Sequence, residues 1–460
     1  MAAPCRSVLR MLAAAVFLSA FHAAAGSTGD QVPGPSCLPT KARNHDATKS
    51  TRMNLVHRYG PCSPVAEAPP SQEEVLAADQ KRVESIQQRA NNPVQPGASA
   101  LLSPSSTSLP ASSGYSLGVG NYVVTLGLGT PVGRYTVAFD TGSDTTWVQC
   151  RPCVDVCYKQ KEPLFNPARS ITYANISCAD STCTDLLNHG CNAGNCIYAV
   201  QYGDGSLSVG YFAQETLTLS PIDAIQGFHF GCGQRNRGSF GKIAGLLGLG
   251  RGNSSLTVQA YQKYGGVFAY CLPASTTGTG YLDLGPGSPP PANAIVTPML
   301  LDRGPGFYYV ALAGIRVDGQ QLAIPESVFS TAGTVVDSGT VITQLPDTAY
   351  AALRSAFAAA MSALGYKKVP SPFAIFDTCY DFRGLTSVPL PTVSLLFQGG
   401  ATLDVDYTGI MYPASTSECL AFTSNGDDTR LGVIGNTVQK TYGVRYDLGN
   451  RAISFAPRAC

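Results

Sequence analysis

The sequence predicts an all-β protein built as two related lobes, with a few short helices, and three observations carry that prediction. Its 460 residues include 48 Gly, 32 Pro and 22 Tyr, a turn-rich composition suited to many short strands. Runs rich in β-branched and aromatic residues, such as Asn121–Gly129 and Tyr135–Phe139, recur between Gly and Pro breaks as far as Ser454-Phe455-Ala456. Finally, the chain repeats itself approximately. Tyr135-Thr-Val-Ala-Phe-Asp140-Thr-Gly-Ser143 is echoed by Gly333-Thr-Val-Val-Asp337-Ser-Gly-Thr340. Ala244-Gly-Leu-Leu-Gly-Leu249 follows the first copy at about the interval at which Leu431-Gly-Val-Ile-Gly435 follows the second. Such a length exceeds what one core serves, and 44% hydrophobic against 13% charged residues excludes a largely disordered chain.

The elements follow in order. Arg6 and Arg10 precede an apolar run from Met11 to Phe21 and the small residues Ala23-Ala24-Ala25, which describes a secretory signal peptide over residues 1–25. The run is too short to span a membrane and no later stretch reaches spanning length, so no membrane anchor is expected. Residues 26–113 read as a prosegment and linker. Charges cluster from Gln72-Glu73-Glu74 to Arg89 around a helical stripe of Val75, Leu76, Val83 and Ile86, and a Pro-, Ser- and Ala-rich tether runs from Asn92 to Ser113. An N-terminal β lobe is expected over 114–300, with a Cys-rich insert at 150–196, and a C-terminal β lobe over 301–460. One clear helix is predicted there, capped by Asp347, with Tyr350, Leu353, Phe357, Met361 and Leu364 on one face and Gly365 at its end.

Cysteine usage fits an oxidising compartment. Of 15 Cys, Cys5 lies in the signal and Cys37 and Cys62 in the prosegment, leaving twelve, the number that six disulfides need. Cys150-x-x-Cys153 followed by Cys157 has metal-like spacing, but no paired histidines accompany it, and neither metal nor cofactor is expected. Asn175-Ile-Ser and Asn253-Ser-Ser are glycosylation sequons. With the first 113 residues set apart, 21 basic face 23 acidic side chains and no basic–aromatic stripe is evident, so nucleic acid is not a partner.

Two lobes on one plan would bring Asp140 and Asp337 face to face. Carboxylates about 3 Å apart cannot both ionise cheaply, so one retains a proton across an acidic range. In such a pair the ionised member can take a proton from a shared water and the protonated one can donate a hydrogen bond. The flanking Gly142 and Gly339 allow tight turns, and Ser143 and Thr340 can donate to the carboxylates.

Asp140-Thr-Gly-Ser-Asp-Thr-Thr-Trp147 and Val335-Val-Asp-Ser-Gly-Thr340 resemble the two active-site motifs of pepsin-type aspartic proteases, and Tyr202-Gly203-Asp204-Gly-Ser206 resembles their flap. The insert from Cys150 to Cys196 and the segment His57-Arg-Tyr-Gly-Pro-Cys-Ser-Pro64 narrow the resemblance to the plant nepenthesin-like branch. The resemblance implies a bilobal pepsin-like fold and a secreted endopeptidase, made as a zymogen and acting on peptide or protein substrates at acidic pH. It implies loop-tying roles for Thr141 and Ser338, a flap role for Tyr202, Gly203 and Asp204, and an anchoring indole N–H from Trp147. The bridges it implies are Cys150–Cys153, Cys157–Cys232, Cys178–Cys196, Cys183–Cys191, Cys271–Cys460 and Cys379–Cys419. A monomer exported to the apoplast is expected, ahead of vacuole or plastid. Where pepsin-type enzymes often carry an acidic residue this chain has Ala244, and Asp204 replaces a common flap Thr. The alternative is a pepsin-fold non-catalytic binding protein or glycosidase inhibitor.

Overall fold

The computed structural model describes residue 37, residues 50–91 except 66, and residues 122–460 except 288 and 305. The expected signal peptide, Cys5 and the tether from residue 92 onward lie outside the described residues. Within them the chain is predominantly β, and its strands form two lobes around related motifs.

In chain order the elements that build the site begin with β1 (Thr51–His57), α1 (Gln72–Asn91), β2 (Tyr122–Leu128), β3 (Gly133–Asp140) and β4 (Trp147–Gln149). They continue with β5 (Asn195–Gln201), β6 (Leu207–Ser220), β7 (Asp223–Arg237), β8 (Gly245–Gly248), β9 (Val267–Cys271) and β10 (Thr279–Leu284). In the second lobe come β11 (Thr334–Val336), β12 (Thr343–Leu345), α2 (Asp347–Ala363), β13 (Gly432–Ile434) and β14 (Gly443–Asp447).

The sequence echoes correspond to one repeated pairing. β3 runs parallel to β8, with Phe139 opposite Leu247 and Asp140 opposite Gly248. β11 runs parallel to β13, with Val335 opposite Val433 and Val336 opposite Ile434. β8, β11 and β13 are buried throughout and β3 is buried from Tyr135 to Asp140, as parallel pairs covered on both faces must be. β3 and β11 therefore each deliver an acidic residue, Asp140 and Asp337, at the same place in their lobes. Gly245 is required by close approach: a Cβ there would lie 1.9 Å from the Trp147 carbonyl oxygen. Gly245→Ala is expected to destabilise the protein by about 1–3 kcal/mol or more, read by chemical denaturation. An unchanged midpoint would contradict this tight β4–β8 crossing. Ala244 is itself fully buried in the core, an apolar position where a carboxylate would be costly.

β9 pairs with β14 and with β10, linking the C-terminal strands to the first lobe. On the other side of β10 lies β1, which the sequence reading left without a strand. It pairs antiparallel with β10 from Thr51↔Leu284 to Val56↔Thr279 and then reaches β2 at Val56↔Val123.

α1 begins with a reciprocal cap: Glu74 N–H donates to Ser71 Oγ, and Ser71 N–H to the Glu74 carboxylate. α2 differs from expectation at its ends. Its N-cap position is Pro346, and Asp347 instead accepts from Ser424 Oγ. Leu364 is exposed, because the helix ends at Ala363 and Gly365 turns the chain at φ +88°, while Tyr350, Leu353, Phe357 and Met361 are buried.

Among the described residues seven disulfides form, and four of the six implied bridges are corrected. Cys150 bonds Cys232 and Cys153 bonds Cys157. β4 and β7 run parallel with Val148 opposite Cys232, which sets Cys150 beside Cys232 and leaves Cys153 and Cys157 to close on each other. Cys178 bonds Cys191 and Cys183 bonds Cys196. Burial sorts that set: Cys183 and Cys196 both point into the core, whereas Cys191 is exposed. Cys271–Cys460 and Cys379–Cys419 form as implied, and Cys37 bonds Cys62 within the expected prosegment.

Candidate active site

Asp140 and Asp337 meet where the two lobes touch, both buried. Each carboxylate is held from its own loop. Asp140 accepts from Gly142 N–H at 3.0 Å and Ser143 Oγ at 2.6 Å; Asp337 accepts from Gly339 N–H at 3.2 Å and Thr340 Oγ1 at 2.6 Å. Between the loops, Thr141 N–H donates to Ser338 Oγ (3.1 Å) and Ser338 N–H to Thr141 Oγ1 (2.9 Å), a reciprocal pair across the lobe axis. The two glycines are needed for a different reason from the one read in the sequence. Neither has positive φ. Instead, a Cβ on Gly142 would lie 2.7 Å from Asp337 Oδ1, and one on Gly339 2.7 Å from Asp140 Oδ1. Each glycine is the floor on which the opposite carboxylate rests.

Deeper supports escaped the sequence reading. Asn436 Nδ2 donates to the Ser338 carbonyl and Gln439 Nε2 to the Asp337 carbonyl, both buried just after β13. Their only sequence signal is their place directly after the second echo.

The hairpin of β5 and β6 carries Tyr202 at its tip. Trp147, fully buried, donates its indole N–H to Tyr202 Oη at 2.7 Å. Phe240 packs edge-on to both rings. Asp204 turns back onto its own loop, accepting from Ser206 N–H and Ser206 Oγ, so its charge caps the tip and Gly205 makes the turn at φ +83°. Asn175 and Asn253 are both exposed.

α1 lies in the cleft. Arg82 inserts its guanidinium between the two carboxylates: Nη2 donates to Asp140 Oδ1 at 2.6 Å and to Asp337 Oδ1 at 2.9 Å, and Nε to Asp337 Oδ2 at 2.9 Å. Three residues earlier, the buried Asp79 accepts from the backbone N–H groups of Val341 and Ile342 at 2.6 and 2.9 Å. Further along, the Gln87 amide pairs with both the N–H and the carbonyl of Leu431, as a strand would. Arg89 donates to the Gly142 carbonyl and lies over the Phe307 ring. Leu76 packs with Val341, Ile342 and Phe376, and Val83 and Ile86 pack with Phe307, Tyr309 and Leu431. Flap and helix touch as well, since a Cβ on Gly203 would meet the Lys81 carbonyl oxygen.

These contacts set the charges. Burial alone would raise the Asp140 pKa, but the Arg82 charge and the hydrogen bonds from Arg82, Ser143 and Gly142 outweigh it and hold the group below its ordinary 3.8. For Arg82, burial opposes the charge, and the two carboxylates overcome that opposition. Asp79 moves the other way: burial pushes it up to about 7, against its two N–H donors and Arg82, with Asp337 adding to the rise. The sequence stripe predicted the apolar face of α1. It missed that Asp79, Arg82 and Gln87 share the buried side, since charged residues on a helix ordinarily face solvent.

Two family models match the chain, "Xylanase inhibitor N-terminal" over residues 122–286 and "Xylanase inhibitor C-terminal" over residues 307–457. An aspartyl protease family protein of Arabidopsis thaliana is 44% identical over 90% of this chain and 88% of its own. Aspartyl protease AED1 of the same plant is 43% identical over 92% and 89%. Aspartic proteinase nepenthesin-2 of Nepenthes gracilis is 35% identical over 75% and 78%. Among solved structures, edgp superposes with a TM-score of 0.60 at 21% identity, covering 73% of this chain and 91% of that one. Basic 7S globulin from soybean gives 0.58 at 21% over 73% and 92%, and both likenesses concern the fold.

Proposed function

Since the chain belongs to the plant nepenthesin-like family of aspartic proteases, we propose that it is a secreted endopeptidase made as a precursor, with Asp140 and Asp337 as the catalytic pair and α1 as the inhibitory part of its prosegment. The observation that carries this reading is Arg82, whose guanidinium stands between the two carboxylates where a shared water and a scissile peptide would have to sit.

Once α1 has left, the carboxylates lose their cation and must share a proton, because two adjacent negative charges in a buried site are costly. The ionised member then abstracts a proton from the bound water as that water attacks the peptide carbonyl. The protonated member hydrogen-bonds to the developing oxyanion. Ser143 and Thr340 keep the outer oxygens oriented, and Tyr202, steadied by Trp147, closes over an extended substrate. Disulfides in the body support an oxidising compartment. Among the described residues no helix is long and apolar enough to cross a membrane.

Acid should trigger release, and the sign differs between the contacts. With its pKa depressed, Asp140 stabilises the closed precursor fully above the ordinary carboxylate value, and that stabilisation is lost as pH falls through the depressed value. Asp79, raised to about 7, binds a proton more readily when α1 is docked, so its contact strengthens as pH falls from there toward 3.8. The dyad and Arg82 are therefore the release point, and Asp79 restrains it.

The test is digestion of an unfolded protein substrate by the acid-incubated chain, with and without a statine-type transition-state analogue. Cleavage that the analogue abolishes is expected. Absence of cleavage at every acidic pH, with the fold intact, would instead favour the non-catalytic inhibitor reading that the family descriptions name.

A further inference from the structure

Away from the dyad, the Cys-rich insert frames an open groove of about 700 Å³. Tyr173 and Tyr211 form part of its wall, and Arg151, Asn166, Asn175 and Gln234 stand among them. Strand pairing puts the asparagine there. Ala174 and Asn175 run antiparallel to β6 with Asn175 opposite Ala213, so Tyr211, two residues before Ala213, shares its face of the sheet. Both rings are held in place. Tyr173 packs against Phe165 and Phe230, and Tyr211 Oη accepts from Asn192 Nδ2 at 3.1 Å.

The polar groups of the groove divide into used and unused. Tyr173 Oη donates to Asn175 Oδ1 at 2.6 Å, which fixes the amide and leaves Nδ2 as its open end. Asn166 accepts from Ala168 N–H. By contrast, the Arg151 guanidinium and the Gln234 side-chain amide make no hydrogen bond or ion pair among the described residues, and Arg151 is exposed. Aromatic faces edged by open donors suit a ligand with apolar faces and a rim of hydroxyls, which is the chemistry of a sugar ring. Asn175 opens the sequon Asn175-Ile176-Ser177, whose serine is exposed as well.

We propose that Asn175 carries an N-linked glycan whose first sugars lie in this groove, against Tyr173 and Tyr211 and within reach of Arg151 and Gln234. Tethering makes this favourable. Sugars bind aromatic side chains weakly, yet one linked to the wall of the groove is present there at roughly millimolar effective concentration, so a weak contact is populated. Seated in this way, the glycan also covers Cys153, which lines the same groove. The other sequon, at Asn253, is not part of this wall, so a glycan there has no such seat.

The proposal goes beyond the protease reading and shares with it only export from the cell. The full chain, behind its own N-terminal segment, is expressed in a eukaryotic host, collected from the medium and treated with peptide-N-glycosidase in native and unfolded form. Release converts the linked asparagine to aspartate, so peptide masses report residue 175 by itself. The expected result is a glycan on Asn175 released about tenfold more slowly from the native than from the unfolded chain. Tyr211→Ala is expected to restore most of the lost rate, and so is Arg151→Ala, a change at an exposed side chain that leaves the packing of the rings alone. An unmodified Asn175 in the exported protein overturns the proposal. So does release as fast from the native as from the unfolded chain, or slow release that neither variant relieves. A chain that stays inside the cell counts against export instead, and the same chain behind the host's own signal sequence then decides the groove by the same masses.

Discussion

Replacing Arg82 with alanine in the full-length chain is expected to make the uncleaved precursor active, with hydrolysis of a fluorogenic peptide rising about 10²-fold at mildly acidic pH, where the dyad still shares a proton and the parent chain is still closed. Removing one partner of a buried ion pair typically costs about 3–5 kcal/mol, because the remaining charge is stranded. Here the stranded charges are two carboxylates that can relax by sharing a proton, so the low end of that range applies. The variant should also reverse the pH response of α1. In the parent chain the Arg82 contacts are lost as Asp140 protonates below its depressed value. Without them the titrating contact left is Asp79, whose pKa burial raises and Arg82 no longer lowers, so it holds better as pH falls. Limited proteolysis of α1 across the acidic range, with the rate falling as pH falls, would reveal the reversal. Latency equal to that of the parent at every pH would sink the role given to Arg82.

Asp337→Asn is expected to remove peptide cleavage by about 10³-fold or more while leaving the protein folded, since general acid–base contributions of a positioned group run to ~10²–10⁴. An asparagine can keep the Thr340 hydrogen bond but cannot share a proton with Asp140. The variant would therefore bind the statine-type analogue weakly and stay uncut by its own activity in acid. Parent enzyme added in trans should still process it, which separates lost chemistry from lost folding. Retained cleavage by the purified variant would remove Asp337 from the mechanism. An unchanged unfolding midpoint is the companion measurement.

The same two residues illustrate how far local pattern reaches. Asp337 was legible because the strand entering it repeats the strand entering Asp140, and the register pairs each with an equivalent parallel partner. Arg82 was not legible: on a helix with Glu73, Glu74, Lys81 and Glu84 it looks like one more solvated charge. Its burial depends on a cleft created by residues far along the chain. β1 was missed for a related reason, since Thr51–His57 is a strand whose partners, β10 and β2, lie elsewhere in the sequence. The cysteine pairing that the resemblance implied failed in the insert, because burial and strand register in the folded chain decide which sulfurs meet.

What the chain order alone settled is therefore what is local or repeated: the β character, the duplicated motifs, the loop chemistry around each aspartate and the apolar stripe of α1. Folding settled everything that needs two distant surfaces, namely the meeting of the carboxylates, the arginine seated between them and the strand taken into the core. The physical reason is that propensity and periodicity act over a few residues, while a buried charge is stable only beside a partner that the folded chain brings to it.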